Sequence, residues 1–205
     1  MVIKKQNTNE YDQFVTFYTE EFGKLTAIAK SILKPSSIQA MHLDTLNLVE
    51  FELINGRAMP IVAGAQAANC HRELKNSIPA LAVASFFTEV VDKMVLEMEK
   101  DERLWSFLVD TLDKLNRVGD LNLVAFLRQK QFYLLGLLGY SPQVAQTASA
   151  DTLYRPGRSA IDDAFEYNSG FRLKSLNFMH SVLSLYLERS WPRQIQGKSE
   201  HSTEA

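Results

Sequence analysis

The sequence predicts an α+β fold, a small β-barrel followed by α-helices, and two observations carry that prediction. Up to residue 68, apolar residues come in short β-branched and aromatic runs punctuated by Gly, Pro and Asn. From Asn69 onward they recur at i, i+3, i+4 and i+7, the period of amphipathic helices. A chain of 205 residues with 46% hydrophobic side chains is long enough to bury a substantial core.

The strands are taken in order. "VIKK" (2–5) predicts a first strand, and "FVTFYT" (14–19) and "KLTAIAKSI" (24–32) predict a hairpin with Gly23 in its connection. If Thr19 pairs with Lys24, then Phe14, Tyr18, Leu25, Ala27 and Ala29 share one face. Val15, Phe17, Lys24, Thr26, Ile28 and Lys30 then share the other, and a register one residue away would exchange the faces. "LDTLNLVEFELI" (43–54) ends at Asn55-Gly56, a strong hairpin signal, and "RAMPIVAGA" (57–65) returns with Pro60 marking an edge or a bulge. Five short strands in this length predict an OB-fold barrel over 1–75, a scaffold suited to oligonucleotides.

Helices follow over 76–191. "IPALAVASFFTEVVDKMVLEME" sets Leu81, Ala84, Phe87 or Thr88, Val91, Val95 and Met98 on one stripe, with Pro79 in the first turn. Residues 102–118 predict a second helix capped by Gly119. Residues 121–140, apolar nearly all round, predict the buried centre of the bundle, stopped by Gly139 and Pro142. Residues 143–168 carry little pattern, 171–191 form a last helix, and 192–205 are a polar tail expected to be disordered.

Composition excludes several classes. A single cysteine, Cys70, permits neither an internal disulfide nor a cysteine-based zinc site. No apolar run reaches the roughly 18 residues of a membrane span, and the start turns polar within a few residues, so a cytoplasmic protein with no membrane partner is expected. No nucleophile elbow, phosphate loop, dinucleotide fingerprint or paired-histidine motif is present, so no catalytic residue, metal or cofactor is expected. Cys70-His71 reads as a buried thiol beside a surface imidazole. The net charge of −2 conceals an even first part: residues 1–75 hold 8 basic and 8 acidic side chains, leaving 14 and 16 to the rest. Placement of charge therefore matters more than its total.

The opening hairpin is the informative stretch. Its second face mixes cations with apolar groups, as a base-stacking platform flanked by phosphate contacts would. Those aromatics equally suit packing against the helices, with the lysines merely solvated.

"EYDQFVTFYTEEFGKLTAIAKSILKPSS" resembles the N-terminal signature of the RecO family of bacterial recombination mediators. The likeness lies in the Glu-x-Asp start, a strand ending in Thr, the Gly-Lys-Leu hairpin, and Ala-Lys before a basic, Ser-ending loop. It continues through the Asn-Gly turn, "FFTEVVDKMVLE" and "FYLLGLLGYSP", covering residues 2 to 142. The resemblance implies an OB-fold joined to a helical domain in a non-catalytic, nucleoid-associated protein of DNA repair. It further implies binding of single- and double-stranded DNA and strand annealing. The partners implied are RecR, in assisting RecA loading, and single-stranded-DNA-binding protein. On this reading Lys5, Lys24, Lys30, Lys34 and Arg57 contact phosphates and Phe17 stacks on a base. Two departures stand out. The loop "KSILKPSS" has fewer cations than the family usually shows, and "QVAQTASADTLYRPGRSAIDD" lacks the cysteines of the zinc-binding insert many members carry. The thinned loop motivates an alternative, a protein–protein adaptor that keeps the fold with weak or no DNA binding.

Overall fold

Residues Val2–Asn7 (β1), Gln13–Thr19 (β2) and Gly23–Ala29 (β3) form an antiparallel meander, and Leu48–Ile54 (β4) pairs antiparallel with Ile61–Asn69 (β5). The structure, a computed structural model, describes residues 1–117, 122–140 and 160–196, with side chains in the last stretch over 161–186. The strands make one sheet in the order β1-β2-β3-β5-β4, with β3 and β5 parallel at Ile28 and Ile61. No β1–β4 ladder closes it. Instead the Val2 N–H donates to the Asn47 carbonyl (2.9 Å) and the Leu46 N–H to the Val2 carbonyl (2.8 Å). This brings the start of β1 to the entry of β4 and makes a partly open barrel of OB type. A single turn of helix, Gln39–His42 (α1), lies on β5. Gln39 Nε2 donates to the Ala63 carbonyl (3.3 Å), and the Ala67 N–H to His42 Nδ1 (3.3 Å).

The hairpin register differs from the expected one by a residue. Thr19 pairs with Gly23, so Phe17 faces Leu25 and Tyr18 faces Lys24. Gly23 supplies the cause, because its φ of 68° belongs to the left-handed region that closes a three-residue loop. The Thr19 hydroxyl completes the turn, donating to the Gly23 carbonyl (3.0 Å) and accepting from the Phe22 N–H (3.0 Å). The one-residue slip turns β2 over against β3, so Val15 and Phe17 take the interior positions expected of Phe14 and Tyr18 while Leu25, Ala27 and Ala29 keep theirs. Val15, Phe17, Leu25, Ala27 and Ala29 fill the barrel with Val2, Val49 and Val62. Tyr18 turns outward to the helices instead. Asn55-Gly56 likewise does not form a two-residue turn. Ile54 pairs with Ile61, so the loop runs from Asn55 to Pro60. Pro60 precedes β5, which is an inner strand.

The helices are Arg72–Asn76 (α2), Ile78–Met94 (α3), Glu102–Asn116 (α4), Leu123–Leu137 (α5), Ala160–Ser169 (α6) and Lys174–Gln196 (α7). Ser77, Asp101 and Asn122 cap α3, α4 and α5 with their side-chain oxygens. The centre of the bundle is α3 rather than the expected 121–140 helix. Its Ala82, Val83, Ala84, Phe86 and Phe87 are all buried, and it packs against β1, α2 and α4–α7. It stops at Met94 because the following chain turns back along the barrel. The Met98 N–H donates to the Lys24 carbonyl (2.8 Å), and Met98, expected on the buried stripe, is exposed. Gly139, with φ 80°, ends α5 as expected. Segment α6 falls largely within the stretch that carried little pattern, and α7 runs beyond residue 191 to Gln196. Gly119, Pro142 and the rest of the expected tail, 197–205, lie outside the described residues.

Two apolar clusters result, one inside the barrel and one among the helices. The helical cluster takes Ile3, Tyr18 and Leu46 from the barrel.

Candidate nucleic-acid interface

The structure divides the six expected DNA-contacting residues into three groups. Lys30, Lys34 and Arg57 come together at one end of the barrel. The β1–β2 turn, the end of β3 and the β4–β5 loop all emerge there, as the Asn7–Gln13, Gln13–Ala29 and Ile28–Ile61 pairings require. All three cations are exposed, and none takes part in the ion pairs among the described residues.

Polar bonds hold this end in shape. The Ser31 N–H donates to Asp12 Oδ1 (2.6 Å), fixing Ser31 at a φ of 56° that non-glycine residues seldom adopt. Asn9 Nδ2 donates to Asp12 Oδ2 (3.0 Å), and these bonds, Asn9 first and Ser31 second, hold the Asp12 carboxyl below the usual carboxylate range. The Leu33 N–H donates to the Tyr11 carbonyl (3.0 Å), and Lys34 Nζ sits 5.3 Å from the centre of the exposed Tyr11 ring. An aromatic face and three cations thus share one rim. Tyr11 escaped the sequence reading, although it stands inside the quoted Glu-x-Asp triplet.

Phe17 is a correction. Its ring is fully buried and stacks on Phe51 at 4.2 Å between centroids, so no base can reach it. The register slip that moved it inward is the physical reason. Lys24 is a second correction. It points at α3, buried, with Nζ donating to the Asp92 carbonyl (2.7 Å). Burial lowers the Lys24 amine below its usual value despite the opposing pull of Asp92 and Glu97. Lys5 lies opposite Val15 and reaches Asp44 (3.8 Å), a carboxylate that Lys75 also engages (2.9 Å).

Other polar clusters are built as supports. His71 is buried, contrary to the surface position expected of it, and Cys70 is half-buried. The His71 Nδ1 lies 2.6 Å from the Leu46 carbonyl oxygen and its Nε2 3.3 Å from Asp113 Oδ1, which ties the barrel to α4. Arg128 binds both Asp162 oxygens (3.1 and 2.9 Å) inside the bundle, joined by Gln131 Nε2 at 2.7 Å. Lys130 bridges to Asp110 (2.6 Å). Among the described residues no group of three or more His, Cys, Asp or Glu is placed to hold a metal ion. No described helix is long and apolar enough to cross a membrane.

Comparison with known proteins agrees with this architecture. Residues 1–71 match the family described as recombination protein O N terminal, and residues 75–176 match recombination protein O C terminal. A DNA repair protein RecO from Acetivibrio thermocellus is 28% identical over 145 residues, 71% of this chain and 57% of that protein. Another from Thermoanaerobacter sp. (strain X514) is 25% identical over 144 residues, 70% of this chain and 58% of its own. A third, from Roseiflexus sp. (strain RS-1), is 28% identical over 149 residues, 73% and 52% respectively. The chain therefore spans little more than half the length of the curated relatives it matches.

Proposed function

The chain belongs to the RecO family of DNA repair proteins, and from that premise we propose that it is a non-catalytic recombination mediator that binds DNA at the Lys30–Lys34–Arg57 end of its barrel. In this reading it binds single and double strands and anneals complementary ones. With RecR it assists RecA loading on DNA held by single-stranded-DNA-binding protein, in the cytoplasm at the nucleoid. The observation that supports the DNA surface most is the convergence of three exposed cations on one rim beside Tyr11. Cations there can follow a phosphate backbone while the tyrosine face accepts a base.

Phosphate binding releases counterions, so log K falls with log salt at about −0.7 per contact on a single strand. Replacing Lys30, Lys34 and Arg57 together by glutamine should flatten that slope by about 2 and weaken binding to all sequences alike. Lys24→Gln should leave the slope unchanged, because Lys24 is engaged with α3. Tyr11→Ala should cost about 1–3 kcal/mol of binding with little change in slope. Fluorescence anisotropy of a labelled oligonucleotide at several salt concentrations measures all four proteins. An unchanged slope in the folded triple variant would remove DNA from this rim.

The adaptor reading has one specific support. Lys4, Lys5 and Lys24 are engaged by Asp92 and Asp44, which leaves few cations to offer DNA. Absence of oligonucleotide binding by the wild-type chain at low salt would favour it.

A further inference from the structure

The barrel carries a second surface of opposite chemistry. Between the β2–β3 turn, β4 and α4 lies a groove of about 680 Å³. Its apolar lining includes Phe22, Val49, Phe51, Leu53 and Trp105, with Phe22 50% and Leu53 36% exposed, and Ala68 of β5 borders it. Every charged side chain on it is a carboxylate: Glu20, Glu21 and Glu50, all exposed. None of the three takes part in the ion pairs among the described residues.

The groove runs beside the terminal strand of the sheet. β4 pairs with β5 on one side, and among the described residues no strand forms a ladder on its other side. Residues from both faces of β4, Glu50 and Phe51 among them, line the groove, which places it at that edge. An open edge offers unpaired backbone donors and acceptors to an added strand.

These facts select the occupant. DNA is repelled by three uncompensated carboxylates. A second copy pairing through β4 sets the exposed Glu50 and Glu52 of one chain near those of the other, and like charges across paired strands destabilise. We infer that the groove receives an extended segment of a partner protein in which lysine or arginine alternates with apolar or aromatic residues. Such a segment adds a strand to β4. Its backbone pairs with the edge, its apolar side chains rest on Phe22, Phe51 and Leu53, and its cations meet Glu20, Glu21 and Glu50. The inference is independent of the DNA-binding proposal, which concerns the opposite end of the β2–β3 ladder.

Anisotropy of a fluorescein-labelled heptapeptide alternating lysine with valine and phenylalanine, titrated with the full chain, tests it. The lysine peptide should bind. The same peptide with glutamate for lysine should not, and one with a central proline should bind much more weakly, because proline removes a ladder donor. The Glu20→Gln, Glu21→Gln, Glu50→Gln variant, whose changes are all at exposed positions, should bind the lysine peptide about tenfold more weakly and with less salt dependence. Its oligonucleotide affinity should not fall. Leu53→Asp, checked for fold by circular dichroism, should weaken the peptide through its apolar anchor. Equal binding of lysine and glutamate peptides, or unchanged affinity in the triple variant, overturns the proposal. Equal binding of the proline peptide overturns strand addition. A concentration-dependent dimer in sedimentation that blocks the peptide assigns the groove to a second copy and overturns the proposal as well.

Discussion

Phe17→Ala removes a fully buried ring from between β-barrel walls and strips Phe51 of its stacking partner, so it should cost about 3–5 kcal/mol of stability. Urea unfolding measures this loss, and DNA affinity of the folded fraction should be little changed. A base-stacking role predicts the reverse pattern. Asp162 makes a second test at this scale. Burial alone raises an aspartic acid, but the His180 imidazole, the Arg128 charge and the Gln131 amide outweigh it and hold the carboxyl far below the carboxylate range. The folded pKa lies below the unfolded value of about 3.9, so the stabilisation is complete above that value and is lost as pH falls beneath it. Urea midpoints of the wild type should therefore drop progressively as pH falls below about 4, where the Asp162→Asn protein should show a flatter profile. At neutral pH that variant takes the Asp162 carboxylate away from the buried Arg128 guanidinium and should be destabilised, a loss that urea unfolding measures.

At the scale of elements, the β2–β3 turn decides which residues are core and which are surface. Gly23 is essential to it twice over: its φ is 68°, and an added Cβ would run into the Glu99 carbonyl. Gly23→Ala should cost at least about 1–2 kcal/mol from the left-handed backbone alone, with the Glu99 collision added. Thermal melts followed by circular dichroism would show the loss. The five strands and the start of the helices were legible from period and turn residues, because a change from period 2 to 3.6 survives errors of a residue or two. Register does not survive them. Reading the loop as four residues instead of three carried Phe17 from the interior to a supposed binding face, although a glycine closing a three-residue loop is itself a signal. Lys24 is placed by another cause: the Asp92 carbonyl at the end of α3 that holds it is 68 residues away in sequence, beyond any local pattern. The exposure of Lys30, Lys34 and Arg57 needed no tertiary information, since each follows a strand end or lies in a loop.

For the molecule as a whole, the question is whether the barrel stands without the helices. Ile3, Tyr18 and Leu46 belong to the barrel chain yet are buried in the helical cluster, and α3 covers β1 directly. Polar bonds cross the same boundary: Lys4 to Asp92 (2.8 Å), Thr26 to Glu97 (2.9 Å), and His71 between Leu46 and Asp113. A fragment ending at Lys75 keeps the five strands and the interior cluster but exposes Tyr18, Ile3 and Leu46 to water and leaves Lys24 without its cover. Its length is also close to the lower limit for a domain that folds alone, where burial barely exceeds conformational entropy. That fragment should aggregate or give a poorly dispersed amide NMR spectrum, with no cooperative melt. Extending it to residue 117 restores α3, α4 and the partners Asp92, Glu97 and Asp113, and should recover a dispersed spectrum. A cooperative melt for the 1–75 fragment would show instead that the barrel interior suffices, and that the contacts with α3 orient the barrel without holding it together.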